Sequence, residues 1–322
     1  MDSINRTAIE LMDEALDFAG ELDVVPRELD CGATVIDFGV AAAGGIEAGL
    51  LLAETQTAGL ASLQTSMDRV AGAPIPHVEL TTDHPGTALL CSQKAGWELG
   101  AGEELPGADA ADGSFNGLGS GPARALVARE PEFEAMGYRD ESDFAVLAVE
   151  ASTLPGDRVA EHVADLSGVE PATVFLPTFP AASTVGSVTM AARAAELALF
   201  RLFELGYDPR DVLSASGTAP IAPVSGDENT AMARTNDAIA YGGEVYLQVT
   251  NDDTLFEQLP STARDEYGTP FKQVFEAADW DFYEVDDGVF APAKVTVDVV
   301  DGPTRVVGET DEQLVAESFG LT

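Results

Sequence analysis

The chain of 322 residues is long enough to bury a large core and suggests two domains, and its 45% hydrophobic content excludes an intrinsically disordered protein. Its 56 acidic residues against 16 basic ones give a formal net charge of −40. A chain this acidic is a poor partner for nucleic acid, because the phosphate backbone repels it.

Apolar periodicity predicts a mixture of helices and strands, without an internal repeat or a low-complexity tract. Helices are predicted at 4–22, 46–65 and 183–205, the last with Gly206 as its C-cap. Strands are predicted at 33–40, 144–151, 172–177, 242–250 and 293–300. The stretch 99–121 is rich in Gly, Ala and Asp and predicts a long loop.

The acidic residues come singly or in pairs and never three in a row. An acidic binding patch needs carboxylates in blocks to focus an electric field, so the spread of these residues argues against such a patch. The only lysines are Lys94, Lys272 and Lys294. Dispersed acids with few lysines are typical of a protein that stays soluble in concentrated salt, since a Debye length of roughly 3 Å at 1 M screens self-repulsion.

The cysteines and histidines show no pattern that binds a metal. Cys31 and Cys91 form neither a disulfide framework nor a zinc motif, and we expect thiols in a reducing cytosol. His77, His84 and His162 lack metal-ligand spacing. We therefore expect no metal.

No membrane segment or targeting signal is predicted. The longest uncharged run, 171–192, contains three prolines and several hydroxyls and is unsuited to cross a membrane. The opening helix is acidic and amphipathic, unlike a signal peptide. These features favour a cytoplasmic location.

The segment from Pro171 to Phe200 has only two charged residues, Arg193 and Glu196. In so acidic a chain this segment is expected to be interior. Residues three apart are neighbours on one helix face, so the two can pair. The pair has two interpretations: a structural ion pair, or a water-activating carboxylate held beside a guanidinium. A buried ion pair contributes little net stability by itself, which is the reason to consider the second interpretation.

Three other polar groups are candidates for a site. The run 116–126 carries Gly119, Ser120, Gly121 and Arg124, and glycines before a helix can bind an anion through backbone N–H groups, although a turn before a helix explains them as simply. This spacing is neither a dinucleotide fingerprint nor a P-loop.

Three polar residues lie close together just before a predicted strand: Arg234, Asn236 and Asp237. This grouping indicates either a binding cluster or a turn network. Lys94 is a retained lysine in a chain that avoids them, which indicates a specific contact.

Together these motifs resemble one family, the methenyltetrahydromethanopterin cyclohydrolases, in a form typical of salt-loving archaea. The resemblance runs over nearly the whole chain. Its motifs, in the family's order, lie at 32–54, 91–97, 119–126, 191–202, 234–243 and 270–297. Departures such as Leu50 and Ala240 put the exact pterin in doubt and leave the reaction class intact.

The resemblance implies a mixed α/β subunit of two domains with a deep cleft between them, neither a Rossmann nor a TIM fold. We assign the domains approximately to 1–180 and 181–322, and the chain could cross between them. The family's catalytic glutamate and arginine fall on Glu196 and Arg193, and its active-site lysine falls on Lys94. A homotrimer without a metal, cofactor or prosthetic group is also implied.

The expected reaction is the reversible hydrolysis of 5,10-methenyltetrahydromethanopterin to its N5-formyl form. Glu196 is expected to accept a proton as water attacks the methenyl carbon and to return it to the departing nitrogen. Arg193 would orient the water, and Lys94 would steady the adduct. The alternatives are a methenyltetrahydrofolate cyclohydrolase and a pterin-binding protein without turnover.

Overall fold

The structure, a computed structural model, describes residues 3–100, 115–280 and 285–321. Its α-helices are α1 (Ile4–Asp17), α2 (Ile46–Gln56), α3 (Ala123–Val127), α4 (Pro131–Met136), α5 (Asp157–Ser167), α6 (Thr184–Ala191), α7 (Ala194–Glu204), α8 (Glu228–Gly242), α9 (Phe271–Ala277) and α10 (Glu312–Phe319). A π-helix spans Gly86–Gln93.

The strands form two sheets. They are β1 (Val25–Glu28), β2 (Thr34–Asp37), β3 (Ser62–Val70), β4 (Ala73–Thr82), β5 (Ala95–Gly100), β6 (Asn116–Ser120), β7 (Ala145–Val146), β8 (Ala148–Glu150), β9 (Val174–Phe179), β10 (Val212–Pro220), β11 (Glu244–Val249), β12 (Lys294–Val299) and β13 (Thr304–Gly308). Both sheets mix parallel and antiparallel pairs, and among the described residues neither closes into a barrel.

The chain divides into two compact units. The first comprises Met1–Leu60 and Leu90–Gly186, and the second comprises Ala61–Leu89 and Ser187–Thr322. The change of unit inside α6 lies close to the predicted boundary at 180. Residues 61–89, assigned from the sequence to the N-terminal domain, fall in the second unit.

The first unit contains the sheet of order β1-β2-β9-β8-β6-β5, with β7 also paired to β9. Its central strands are buried on both faces, because neighbouring residues enter different cores: Val35 packs with α5, and Ile36 packs with α1 and α2. A strand covered on both sides has a continuous apolar run, which is why ATVIDFGV reads as a strand without polar alternation.

The second unit contains the sheet of order β13-β12-β11-β10-β4-β3. On β12 the valines are buried and Lys294, Thr296 and Asp298 lie on the other face, as expected for a side-chain period of two. Helix α7 packs on β10 and β11, and α8 packs on β10. The sheet therefore supports the first turn of α7.

Several predicted elements differ in length from the observed ones. The helix predicted at 46–65 ends at Gln56, since Ala58 and Gly59 adopt positive φ angles of 55° and 68°, and β3 follows. The predicted loop 99–121 is wrong at its ends, which belong to β5 and β6. Its residues 101–114 lie outside the described part of the chain.

The long helix predicted at 183–205 is two helices. Ala192 and Arg193 form a turn between α6 and α7, and Arg193 has φ −93° and ψ 0°. No glycine or proline marks this break, so the sequence pattern did not reveal it. The predicted end is confirmed, because Gly206 has a φ of +96° directly after the final turn.

Candidate active site

Arg193 and Glu196 form an ion pair at the start of α7. The Nε and Nη2 atoms of Arg193 lie 2.8 and 2.7 Å from the same carboxylate oxygen, Oε2 of Glu196. The Glu196 side chain is 1% exposed and that of Arg193 is 17% exposed. The carboxylate is therefore enclosed, whereas part of the arginine side chain is exposed.

The second carboxylate oxygen of Glu196, Oε1, is buried and has no hydrogen-bond donor among the described residues. Buried polar atoms are nearly always hydrogen-bonded, so such an atom in a folded protein needs an explanation. Glu196 also lies in the first turn of α7, where the helix dipole favours a negative charge. The arrangement holds one oxygen fixed and leaves the other able to accept a proton.

A glycine in the sheet allows this first turn to lie close to β10. A Cβ atom on Gly217 would be 2.8 Å from the backbone N of Ala195 and 3.0 Å from its Cβ. Any side chain at this position would push away the residue that precedes Glu196. Sequence reasoning missed Gly217, because nothing in the local pattern of β10 relates it to α7.

Lys94 lies between the π-helix and β5, in the first unit. Its Nζ atom is 3.0 Å from Oε1 of Glu132, and the lysine side chain is 15% exposed. π-Helical turns are rare and often lie at functional sites. The sequence gave no indication of this partner, since Glu132 belongs to the separate helix α4.

Arg124 is fully buried, with its guanidinium surrounded by acceptors of the chain itself. Its Nε lies 2.9 Å from Glu130 and its Nη2 lies 2.9 Å from Glu132. Its Nη1 donates to backbone carbonyls at the end of the π-helix, including that of Lys94 at 2.7 Å. Arg124, a candidate site residue from the sequence, therefore donates to groups within the protein interior.

Most of the glycine-rich cluster belongs to a strand, and only Gly121 lies between that strand and α3. Gly119 and Ser120 lie in β6, and a Cβ on Gly119 would be 2.9 Å from a methyl group of Leu147. Gly121 has a φ of +113°, and its N–H donates to the carbonyl of Ser92. These glycines thus meet packing and backbone requirements.

The hydroxyl of Ser120 accepts a hydrogen bond from the side-chain amide of Gln56 at 2.8 Å. The other amide atom of Gln56, Oε1, is buried and has no partner among the described residues. Gln56 is a second residue that the sequence did not indicate.

Arg234, Asn236 and Asp237 lie on α8, the helix that directly precedes β11. Helix α8 begins at Glu228, and its N-cap is Asp227, whose side chain accepts from the N–H of Thr230. Asp237 is 1% exposed and accepts from the N–H of Phe271 and the hydroxyl of Ser318. It therefore connects α8 with α9 and α10.

Its two neighbours also contact the chain itself. Arg234 donates to the carbonyls of Ser318 and Pro223, and Asn236 donates to that of Met232 one turn earlier. A turn network, one of the two interpretations of this segment, is not seen, and the cluster instead fastens α8 within its unit.

Within the three described ranges no group of three or more His, Cys, Asp or Glu side chains is placed to hold a metal ion. None of the helices described has both the length and the apolar character needed to cross a membrane.

Comparison with known proteins decides the family. The model of the family described as Cyclohydrolase (MCH) matches residues 3–319. A protein named methenyltetrahydromethanopterin cyclohydrolase from Halobacterium salinarum is 55% identical over 322 residues, which is 100% of both chains. The chain belongs to the MCH cyclohydrolase family.

More distant family members match over similar lengths. Proteins with the same name from Methanocaldococcus jannaschii and Methanospirillum hungatei are 39% and 37% identical and cover at least 99% of each chain. The resemblance found in the motifs is therefore confirmed across the whole cyclohydrolase chain. High identity to the Halobacterium protein also agrees with the salt adaptation predicted from the acidic composition.

In this cyclohydrolase the residues proposed from the sequence belong to three separate arrangements. Arg193 and Glu196 form an ion pair in which one buried carboxylate oxygen has no donor among the described residues. Lys94 is linked to the buried Arg124 through Glu132. The residues of α8 form a third group that serves the fold. The first two arrangements contain charged groups whose positions are set by specific partners.

Proposed function

We propose that the chain catalyses the reversible hydrolysis of 5,10-methenyltetrahydromethanopterin to N5-formyltetrahydromethanopterin. The family and the names of its relatives support this substrate. The methenyl carbon bridges two nitrogens as a delocalised cation and is already electrophilic. The protein must therefore provide a positioned water and a group that carries protons.

The observation that carries the proposal is the open Oε1 of Glu196. As the water oxygen bonds to the methenyl carbon, Glu196 accepts one proton and a neutral hydroxy adduct forms. The adduct collapses when the bond from carbon to the departing nitrogen breaks and Glu196 returns its proton to that nitrogen. The hydroxyl proton is released as the formyl C=O forms, so one proton is released overall.

Arg193 has two roles in this scheme. It fixes Oε2 through two N–H groups at 2.7 and 2.8 Å, which sets the direction of Oε1. It also compensates the negative charge of the buried carboxylate, which is costly to leave unpaired. We assign Lys94 to the stabilisation of the tetrahedral adduct.

We further propose a cytoplasmic homotrimer that uses no prosthetic group. The family resemblance supports the trimer and the lack of a prosthetic group, and cysteines without a disulfide framework favour the cytoplasm. Sedimentation equilibrium in high salt tests the oligomeric state.

The test is a glutamine substitution at the proposed base. Glu196→Gln keeps the shape and a contact for Arg193 but cannot carry the proton, so kcat is expected to fall by roughly 10²–10⁴-fold. The measurement follows the near-ultraviolet absorbance of the methenyl group, which disappears on hydrolysis, with the enzyme in high salt. A matched control is Glu204→Gln, because Glu204 forms the other Arg–Glu pair with i,i+3 spacing on α7, with Arg201.

Three outcomes are informative. Near-normal turnover by a folded Glu196→Gln variant excludes Glu196 as the base. Turnover of methenyltetrahydrofolate but not of the methanopterin substrate overturns the proposed substrate. Lack of turnover with either pterin, despite binding, indicates a pterin-binding protein.

A further inference from the structure

One cluster of ion-paired side chains contacts both the side-chain ammonium and the backbone carbonyl of Lys94. Its ammonium lies 3.0 Å from Oε1 of Glu132, and its backbone carbonyl accepts from Nη1 of Arg124 at 2.7 Å. Arg124 and Glu132 are themselves joined, since Nη2 of Arg124 lies 2.9 Å from the same Oε1. Main chain and side chain of Lys94 are thus tied to the same pair.

The two central ions of the cluster, Arg124 and Glu132, are enclosed. The side chain of Arg124 is 0% exposed and that of Glu132 is 2% exposed. There is no space to relax toward β5, since a Cβ on Gly96 would lie 2.7 Å from Nε of Arg124 and 2.8 Å from Oε1 of Glu130. Phe133 covers the guanidinium, with its ring centroid 5.3 Å from Cζ.

Charge balance shows why Glu132 is needed. Arg124 already has a carboxylate partner in Glu130, whose Oε1 lies 2.9 Å from Nε. Glu132 adds a second buried carboxylate, and Lys94 supplies the second cation. A buried cluster of this kind is weak evidence for stability, because desolvating each ion costs several kcal/mol. Its particular effect is to restrict a flexible lysine side chain to one direction.

We propose that Glu132, itself oriented by Arg124, is a positioning residue that aims the ammonium of Lys94 at the reacting pterin. The inference rests on the proposed function, in which Lys94 stabilises the tetrahedral adduct. Glu132 touches neither substrate nor water in this scheme and acts only through Lys94. Misplacing a reacting group by about 1 Å can lower the reaction rate about 10²-fold, so loss of this positioning should be measurable in kcat.

The test compares two glutamates that share Arg124. Glu132→Gln weakens the contact to both Arg124 and Lys94, whereas the control Glu130→Gln weakens only the contact to Arg124. We expect Glu132→Gln to lower kcat roughly 10–100-fold with little change in KM, because the lost interaction belongs to the transition state. Glu130→Gln should stay within about threefold of the unchanged protein, well below that expected loss.

A double-mutant cycle separates positioning from a structural role. In a Lys94→Met background, adding Glu132→Gln should change kcat by less than about threefold, because the residue through which it acts is gone. Equal losses from Glu132→Gln in both backgrounds indicate a structural role and overturn the inference. Normal kcat of Glu132→Gln in the presence of Lys94 also overturns it.

The controls keep the two proposals apart. If Lys94→Met is fully active, the assignment of Lys94 in the proposed function fails. If Lys94→Met is impaired and Glu132→Gln is not, only the positioning role fails. Should Glu132→Gln not fold, Glu132→Asp, which shortens the side chain by one methylene, is measured in the same cycle with the same expected non-additivity.

Discussion

Buried carboxylates in this protein differ in how their charge is satisfied. Burial by itself raises the pKa of Asp37, but four backbone N–H groups from Gly39 to Ala42 donate to its two oxygens and hold its pKa below the usual value. Burial dominates at Asp237 and raises its pKa to about 6, although Phe271 and Ser318 donate to it. The first residue organises a loop, and the second is costly to ionise.

The Asp237→Asn substitution should change how stability depends on pH. The folded pKa of about 6 lies above the ordinary value of 3.8, so the contribution of Asp237 is complete below pH ~4 and is lost as pH rises through 6. Asparagine does not ionise, so the variant does not lose stability in this way as pH rises. The unfolding free energy of the variant relative to the unchanged protein should therefore increase between pH 4 and 7, by on the order of 2 kcal/mol.

Denaturant titrations across this pH range in high salt provide the measurement. Asp298→Asn is a suitable comparison, because that carboxylate is on the open face of β12 and its pKa is lowered by hydrogen bonds from Thr304, Tyr246 and Gln248. Between pH 4 and 7 this comparison should stay nearly flat, because a lowered pKa makes stability pH-dependent only near and below the ordinary value of 3.8. A pH-independent difference for Asp237→Asn would contradict the assigned cause.

At the scale of elements, the first turn of α7 is the feature on which the proposed chemistry depends. The turn at Ala192 and Arg193 lets the arginine reach forward to Glu196 in the following turn, and β10 supports it from below. Because Gly217 is in contact with Ala195, a change in the strand is transmitted directly to the helix.

Gly217→Ala should therefore disturb activity as well as stability. The added Cβ would lie 2.8 Å from the backbone N of Ala195, a distance that forces α7 or β10 to shift. Overpacking of this kind costs about 1–3 kcal/mol. We expect a lower melting temperature and a fall in kcat of about 10-fold or more as Glu196 moves, since small displacements of reacting groups are expensive.

Gly226→Ala is the matched control, because a Cβ there has no atom within 4 Å. Thermal unfolding and the absorbance assay at a temperature where both variants are folded distinguish the effects. Unchanged kcat in a folded Gly217→Ala variant would show that the contact with β10 does not position Glu196.

At the scale of the whole molecule, self-repulsion is the main electrostatic problem. The net charge is −40, and some acids lie close together, such as Glu54 on α2 and Glu14 on α1. Burial, and next the charge of Glu14, raises the pKa of Glu54. Ionised Glu54 therefore opposes folding once pH rises above its folded pKa. Salt weakens the share of this effect that comes from repulsion between Glu54 and Glu14.

Glu54→Gln should stabilise the protein at pH 7, most strongly in dilute salt. The gain is expected to stay below about 1 kcal/mol, because the site is partly open to solvent, and to shrink in molar salt as the repulsion is screened. Urea titrations at low and high potassium chloride measure it. The exposed Glu10 on α1 provides the control Glu10→Gln, which should gain less; an equal gain would assign the effect to overall charge instead.

Prediction from sequence succeeded where one pattern had one structural meaning. The alternating valines of β12 and the positive φ of Gly206 followed from local rules, and the two charges in an uncharged stretch indicated the buried pair Arg193–Glu196. It failed where distant residues decide the outcome. The glycines before α3 indicated an anion-binding segment or a plain turn, yet Gly117 and Gly119 are strand residues of β6, and Leu147 packs closely on Gly119.

The amino-acid sequence by itself determined the mixed α/β class, the salt adaptation, the cyclohydrolase family and the identity of the paired charges, because composition, periodicity and motif order are local or additive properties. Only the tertiary structure decided that Arg124 is enclosed, that Glu132 meets Lys94 and that one buried oxygen of Glu196 has no donor among the described residues. Those facts depend on which side chains meet across separate elements, and no local pattern records that.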